Sequence, residues 1–140
     1  MAFFPFLVFG KTYEVQTLNM DNHQSMVFAP MFLKVEVGDT IKFIPKDDGH
    51  APHSVFTPEQ GETWISKNGQ EISVTLNREG VYIYECKNHG LMGMAGIIQV
   101  GQAHNLNEAK TFYSKYKNKF IMNKDRLDLL FEKMEMKKEE

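Results

Sequence analysis

Residues 80–96 of the chain read GVYIYECKNHGLMGMAG, and this stretch contains the most informative residues for both fold and chemistry. A β-prone apolar run ends at Cys86, the only cysteine, and leads into a short glycine-rich loop. The loop holds His89 and Met94, so a thiolate, an imidazole and a thioether occur within nine residues. Thiolate and thioether ligands favour copper, and one more histidine would complete the ligand set of a blue-copper site.

Cys86 could have roles other than metal binding. A single cysteine excludes an intramolecular disulfide, and an isolated buried cysteine is ordinarily a small core group. A Cys86–His89 nucleophile would make the chain an enzyme, but no third residue is placed to orient such a pair. Met92 also lies in the loop, as a second candidate thioether ligand beside Met94.

The composition restricts the class of protein. The chain has 140 residues, 42% of them hydrophobic, which is enough for one domain with a real core. Its net charge of −2 argues against nucleic acid as a partner. No apolar run approaches the roughly 20 residues of a membrane-spanning helix. Residues 1–10 (MAFFPFLVFG) are interpreted either as the remnant of a signal peptide or as an apolar N-terminal arm, and both interpretations stay open.

Hydrophobic periodicity divides the chain into a β region and a helical region. Short alternating segments separated by turn residues fill residues 11–101 and predict an all-β sandwich or barrel. From residue 102 the period becomes helical, and residues 102–140 are predicted to form two amphipathic helices that pack on the same domain. Asn123 is predicted to cap the second helix.

A second histidine-containing segment, GHAPHSVF at residues 49–56, accompanies the cysteine loop. Together the two segments resemble the cupredoxins, in which one histidine precedes Asn-Val and a Cys-x-x-His loop ends in methionine. Within that family the chain is most similar to the pseudoazurins, because MVFAP at residues 26–30, VEVGDTIKFIP at residues 35–45 and a helical tail accompany the loop. This resemblance implies a Greek-key β-sandwich of about eight strands followed by two helices.

The resemblance also implies one type 1 copper ion bound by His53, Cys86, His89 and Met94. Two of these positions have alternatives. His50 also follows a glycine, and counting from Pro45 without a gap would place it at the ligand position, whereas the residues after His53 favour His53. Met94 has the pseudoazurin spacing from the cysteine, and Met92 is expected to line the apolar surface beside the site. His23 and His104 lie away from these segments.

A fully ligated copper site of this kind is typical of a protein that carries single electrons. An enzyme would need an open coordination position, so the chain is not expected to be one. The resemblance implies a monomeric periplasmic protein that docks redox partners, such as a copper nitrite reductase or a cytochrome, at an apolar patch around His89. A periplasmic carrier of the copper ion itself would use the same ligands and stays open as the alternative.

Three departures from the family pattern bear on these expectations. Glu85 replaces the lysine that typically precedes the cysteine, which leaves the nitrite reductase partner in question. Ser54 stands where the asparagine that ties the two loops together is usual. Asn88 replaces a proline, so that its backbone N–H is expected to donate a hydrogen bond to the Cys86 sulfur.

Overall fold

The computed structural model describes residues 10–139, and the expectations for residues 1–9 lie outside them. The all-β sandwich with two C-terminal helices is confirmed. The elements are β1 (Thr12–Asp21), β2 (Gln24–Ala29), β3 (Phe32–Val35), β4 (Thr40–Ile44), β5 (Pro52–Phe56), β6 (Ile72–Thr75), β7 (Gly80–Cys86), β8 (Ala95–Val100), α1 (Leu106–Tyr116) and α2 (Asp128–Glu139).

The eight strands form two four-stranded sheets that face each other. The first sheet has the order β2-β1-β4-β6 and the second has the order β3-β8-β7-β5. Both sheets are mixed, because β1 pairs with β4 and β3 pairs with β8 in parallel, while the other pairs are antiparallel. The chain changes sheet between most successive strands, so each sheet is built from segments that alternate along the sequence with those of the other.

Alternation along the strands places one face of each sheet in a shared aromatic core. Tyr84 of β7 lies at the centre of this core, with its ring centroid 4.7 Å from that of Phe28 and 5.1 Å from that of Phe43. Trp64 closes the core with its ring centroid 6.0 Å from that of Phe43. Such edge-to-face and stacked pairs add directional contacts to the burial of apolar area.

Strand β7 is buried along its whole length because both of its faces are covered. Tyr82, Tyr84 and Cys86 point into the aromatic core between the sheets, whereas Val81 and Ile83 belong to a second apolar cluster. The helices and the segment between them supply the other half of that cluster, through the buried residues Leu106, Ala109, Tyr113, Phe120, Leu127, Phe131 and Met134. The C-terminal helices therefore cover the outer face of the second sheet.

The two helices begin in different ways, and one of them departs from the sequence prediction. Asn105 precedes α1 and uses its side chain to pair with β7: the amide N–H of Val81 donates to Oδ1 at 2.7 Å, and Nδ2 donates to the Val81 carbonyl at 3.1 Å. Asn123 does not cap α2, because this helix begins at Asp128. The Asn123 side chain donates to the carbonyl of Met92 instead.

Within residues 10–139 no helix is both long enough and apolar enough to cross a membrane.

We expect Asn105→Ala to lower the free energy of unfolding by about 1–3 kcal/mol, because it leaves the N–H and C=O of fully buried Val81 without their partner. Urea unfolding of the metal-free protein measures the effect. Asn107→Ala, at an exposed position in the first turn of α1, is the matched control. Equal stability losses in the two variants would contradict the pairing role.

Candidate metal centre

Three potential metal ligands converge at one end of the sandwich. They are His50, Cys86 and His89, whose ligand atoms all lie within 4.8 Å of one another. The Cys86 Sγ atom is 3.4 Å from Nδ1 of His89 and 3.8 Å from Nδ1 of His50. Cys86 and His50 are buried, whereas His89 is partly exposed.

Local backbone structure explains why Cys86 and His89 meet. Cys86 ends β7, and its N–H donates to the carbonyl of Met94 at 2.9 Å, which closes residues 86–94 into a loop that we call the ligand loop. Within it, His89 N–H returns to the Cys86 carbonyl at 3.2 Å, and a short 3₁₀ turn covers Gly90–Met92. Gly93 then adopts a left-handed conformation with φ of 74°, which glycine tolerates without steric cost.

His50 reaches the thiol from the segment that precedes β5, and two reciprocal hydrogen bonds hold that segment against the ligand loop. The N–H of Ala51 donates to Cys86 Sγ at 3.4 Å, and the N–H of Lys87 donates to the Ala51 carbonyl at 2.9 Å. A hydrogen bond from an amide to the sulfur stabilises a thiolate. No local pattern in the sequence indicates this amide, because it lies 35 residues from the cysteine.

A hydrogen bond to β1 orients the His50 ring. Its Nε2 atom is 2.8 Å from Oδ1 of Asn19, and this oxygen can only accept, so Nε2 carries the proton. The lone pair of Nδ1 then faces the thiol, which is the tautomer a metal ligand requires. Burial lowers the pKa of His50, and neighbouring His89 lowers it further, so the ring favours the neutral form.

The structure places His53 away from the thiol, so our preference for His53 over His50 is not supported by the geometry. His53 pairs in register with Glu85, whereas Pro52 pairs with Cys86. Paired residues of neighbouring strands point to the same face, so the His53 ring lies on the helix side of the sheet, opposite the thiol. There its Nε2 atom is 3.4 Å from the Glu85 carboxylate.

The two methionines of the ligand loop differ in burial. Met94 is completely buried and belongs to the same core cluster as Cys86, to which its carbonyl is hydrogen bonded. Met92 is partly exposed, beside Leu91 with 53% of its surface accessible. Met94 thus has the surroundings of a ligand that water cannot displace, and Met92 lies on the surface next to His89.

The polar residues singled out in the two loops have other partners than expected. The Cys86 sulfur accepts its hydrogen bond from Ala51, and within residues 10–139 the Asn88 N–H makes no hydrogen bond to it. The Asn88 side chain instead donates to the Gly49 carbonyl at 3.0 Å and so ties the ligand loop to the residue before His50. Ser54 bonds with the backbone of Trp64, through the Trp64 N–H at 3.0 Å.

The spacing of the donor atoms fits one metal ion. Bonds of about 2.0 Å to nitrogen and 2.3 Å to sulfur, set in a trigonal plane, would separate the two atoms by about 3.7 Å. The two observed nitrogen-to-sulfur distances are 3.4 and 3.8 Å. Two imidazoles and a thiolate, with a buried thioether next to them, form the donor set that suits copper.

A buried carboxylate lies on the other side of the sheet from the thiol. Glu85 is only 6% exposed and contacts His53 and Lys119, with Oε1 3.4 Å from His53 Nε2 and from Lys119 Nζ. Burial raises the pKa of Glu85, but His53, Tyr116 and Lys119 lower it, and the net pKa lies below the ordinary value of a glutamate. Glu85, which stands where the family typically has lysine, therefore links the second sheet to Lys119 in the segment between the helices.

We expect Glu85→Gln to weaken the acid sensitivity of the metal-free protein. A carboxyl whose pKa is depressed by folding stabilises the protein above its unfolded pKa and loses that contribution as the pH falls through its folded pKa. Urea unfolding at a series of pH values from about 6 to about 3 measures the loss, which should be smaller in this variant. Glu132→Gln, at an exposed position of α2, should behave like the wild type. Equal pH dependence in all three proteins would refute the expectation.

Comparison with known proteins relates the chain to copper-binding proteins. The model of the family described as copper binding proteins, plastocyanin/azurin family, matches residues 14–101. Pseudoazurin of Paracoccus pantotrophus is 40% identical over 106 residues, which are 74% of this chain and 73% of that protein. Pseudoazurin of Methylorubrum extorquens is 37% identical over 120 residues, which are 84% of this chain and 78% of that protein.

The solved structures extend the similarity to the helices. The crystal structure of pseudoazurin from Methylobacterium extorquens AM1 superimposes with a TM-score of 0.77 at 32% sequence identity, covering 88% of this chain and 98% of that one. This coverage reaches beyond the 88 residues of the family model, which end at Gly101. The chain therefore belongs to the plastocyanin/azurin family of copper-binding proteins and, within it, to the pseudoazurins.

Proposed function

We propose that His50, Cys86, His89 and Met94 bind one copper ion and that the protein carries single electrons between redox partners. The observation that supports this most strongly is the convergence of three donor atoms within 4.8 Å at the end of a fully buried strand. Copper in such a site supplies a one-electron change between its cupric and cuprous states. This ligand set keeps Cys86, His89 and Met94 from the set expected from the sequence. It has His50 in place of His53.

The protein holds these donors so that little needs to move when the charge of the site changes. The Ala51 N–H fixes the sulfur and Asn19 fixes the His50 ring, while the closed ligand loop fixes His89 and Met94. Ligands held by such outer contacts keep one geometry in both charge states, which lowers the barrier to electron transfer. The donor set leaves no place for a substrate, in keeping with a carrier that is not an enzyme.

His89 is the ligand through which electrons leave and enter in this proposal. It is partly exposed, whereas His50 and Cys86 are buried. Leu91 and Met92 lie beside it, and the N–H of Ile121 donates to the Leu91 carbonyl at 2.6 Å, which brings the segment between the helices to the same surface. Ile121 and Met122 are 77% and 41% exposed and enlarge the apolar patch that the sequence predicts around His89.

A flat apolar patch of this kind suits brief docking to another redox protein. We propose that the partner is a periplasmic redox protein such as a copper nitrite reductase or a cytochrome, and that the protein acts there as a monomer. The similarity to pseudoazurins supports this assignment. Lys119 lies near the patch, but its pairing with Glu85 partly offsets its charge.

We expect His50→Gln to abolish the intense thiolate-to-Cu(II) charge-transfer absorption of the copper-loaded protein, because it removes one of the two imidazole donors. His53→Gln should retain the absorption, since His53 faces the helices. Visible spectra of the two variants after copper addition measure the effect. The reverse pattern would restore His53 as the ligand and refute the ligand set proposed above.

Electron transfer and transport of the copper ion make opposite predictions for the loaded protein. For an electron carrier, we expect reversible voltammetric oxidation and reduction, with copper retained in the presence of a Cu(I) chelator. Metal analysis after several redox cycles measures this retention. Rapid loss of cuprous ion to the chelator would contradict the proposal and favour a carrier of the ion.

A further inference from the structure

The segment between the two helices makes an unusual set of contacts with the ligand loop. Three donors of this segment bind three successive carbonyl oxygens of the loop. The Ile121 N–H donates to Leu91 at 2.6 Å, the Asn123 side chain donates to Met92 at 2.9 Å, and the Arg126 guanidinium donates to Gly93 at 3.0 Å. The loop is therefore fixed from outside along the residues between His89 and Met94.

Close packing accompanies these hydrogen bonds. A Cβ atom placed on Gly93 would lie 2.8 Å from the Cβ of Asn123 and 2.8 Å from the Met122 carbonyl, so the two backbones approach as closely as glycine permits. Asn123 itself adopts a positive φ of 60°. A left-handed conformation in a residue other than glycine is maintained when surrounding contacts outweigh its cost. The contact between segment and loop is thus specific in shape.

Arg126 is the residue that links this segment to the sandwich. Its Nη1 atom donates to Met26 at 2.6 Å as well as to Gly93, and its Nη2 atom donates to Ser25 at 2.8 Å. All three acceptors are backbone carbonyls, and the described part of the chain gives Arg126 no ion pair with a carboxylate. A planar guanidinium can serve several carbonyls at once, which a lysine ammonium on a flexible stem cannot do in the same geometry.

We propose that Arg126 is a positioning residue for the metal centre, which fixes Gly93 against β2 and thereby sets the placement of the Met94 thioether. This inference rests on the proposed ligand set, in which Met94 directly follows Gly93. Because the axial ligand tunes both the spectrum and the reduction potential of a blue-copper site, a contact that holds Met94 should influence both. Ser25 and Met26 in β2 provide the fixed frame.

The test compares two substitutions of Arg126 in the full chain with a matched control. Arg126→Met removes the charge and the hydrogen bonds, and Arg126→Lys keeps the charge but loses the fork of donors. Arg78→Met is the control, since Arg78 is the other arginine of the chain and bonds to Gln60 through an exposed side chain. Copper affinity, the visible and electron paramagnetic resonance spectra and the reduction potential are measured for each protein.

We expect both Arg126 variants to bind copper about 10-fold more weakly, as loss of an outer contact typically does. Their charge-transfer bands should change in relative intensity, while Arg78→Met should match the wild type. Wild-type spectra and affinity in both Arg126 variants, even with lower thermal stability, would overturn the inference and leave a structural role only. A wild-type spectrum in Arg126→Lys, with a changed potential in Arg126→Met, would also overturn it by indicating a charge effect.

If Arg126→Met does not fold, Arg126→Lys decides the question, because it keeps a cation at the same place. Two outcomes separate this inference from the proposed function. If the wild type itself takes up copper without a charge-transfer band, the ligand set fails, whatever the variants do. If the wild type shows the band and the Arg126 variants do not differ from it, the copper site stands and the positioning role of Arg126 fails.

Discussion

The hydrogen bond from the Cys86 N–H to the Met94 carbonyl is the constraint on which the rest of the metal centre depends. It closes the ligand loop at the end of β7, a strand in which every residue is buried. Because both faces of β7 are covered, this end of the strand cannot shift without disturbing the aromatic core on one side and the helices on the other. The thiol is therefore offered at a fixed point.

Side chains alternate along β7, so its last two residues face opposite sides of the sheet. Cys86 points between the sheets toward His50, and Glu85 points outward to His53 and Lys119 under the helices. One face of the strand thus builds the metal centre, and the other attaches the helical layer. The helices extend the same arrangement, since the segment that joins them contacts the ligand loop from outside. The helical layer and the metal centre are one structural unit.

Local pattern predicted most of the architecture. The alternating segments predicted the strands, and the helical face from Leu106 to Tyr116 matches α1. The cysteine loop identified copper because its three donor types lie close together in sequence. The start of α2 was predicted wrongly at Asn123, because a residue that suits a helix cap also suits any site that needs a short amide. Its side chain bonds to a carbonyl 31 residues away, which no local pattern reveals.

The chemistry of the donors follows from the sequence alone, since the thiolate, imidazole and thioether of residues 86–94 occur within one short stretch of the chain. Which distant groups complete the site depends on the tertiary fold. His50 and His53 lie 36 and 33 residues before Cys86, so distance along the chain does not distinguish them. Only the pairing of Pro52 with Cys86 puts His53 on the opposite face of the sheet. Asn19, Ala51 and Arg126 join the centre for the same reason: strand register and helix packing, which depend on the whole fold, bring them there.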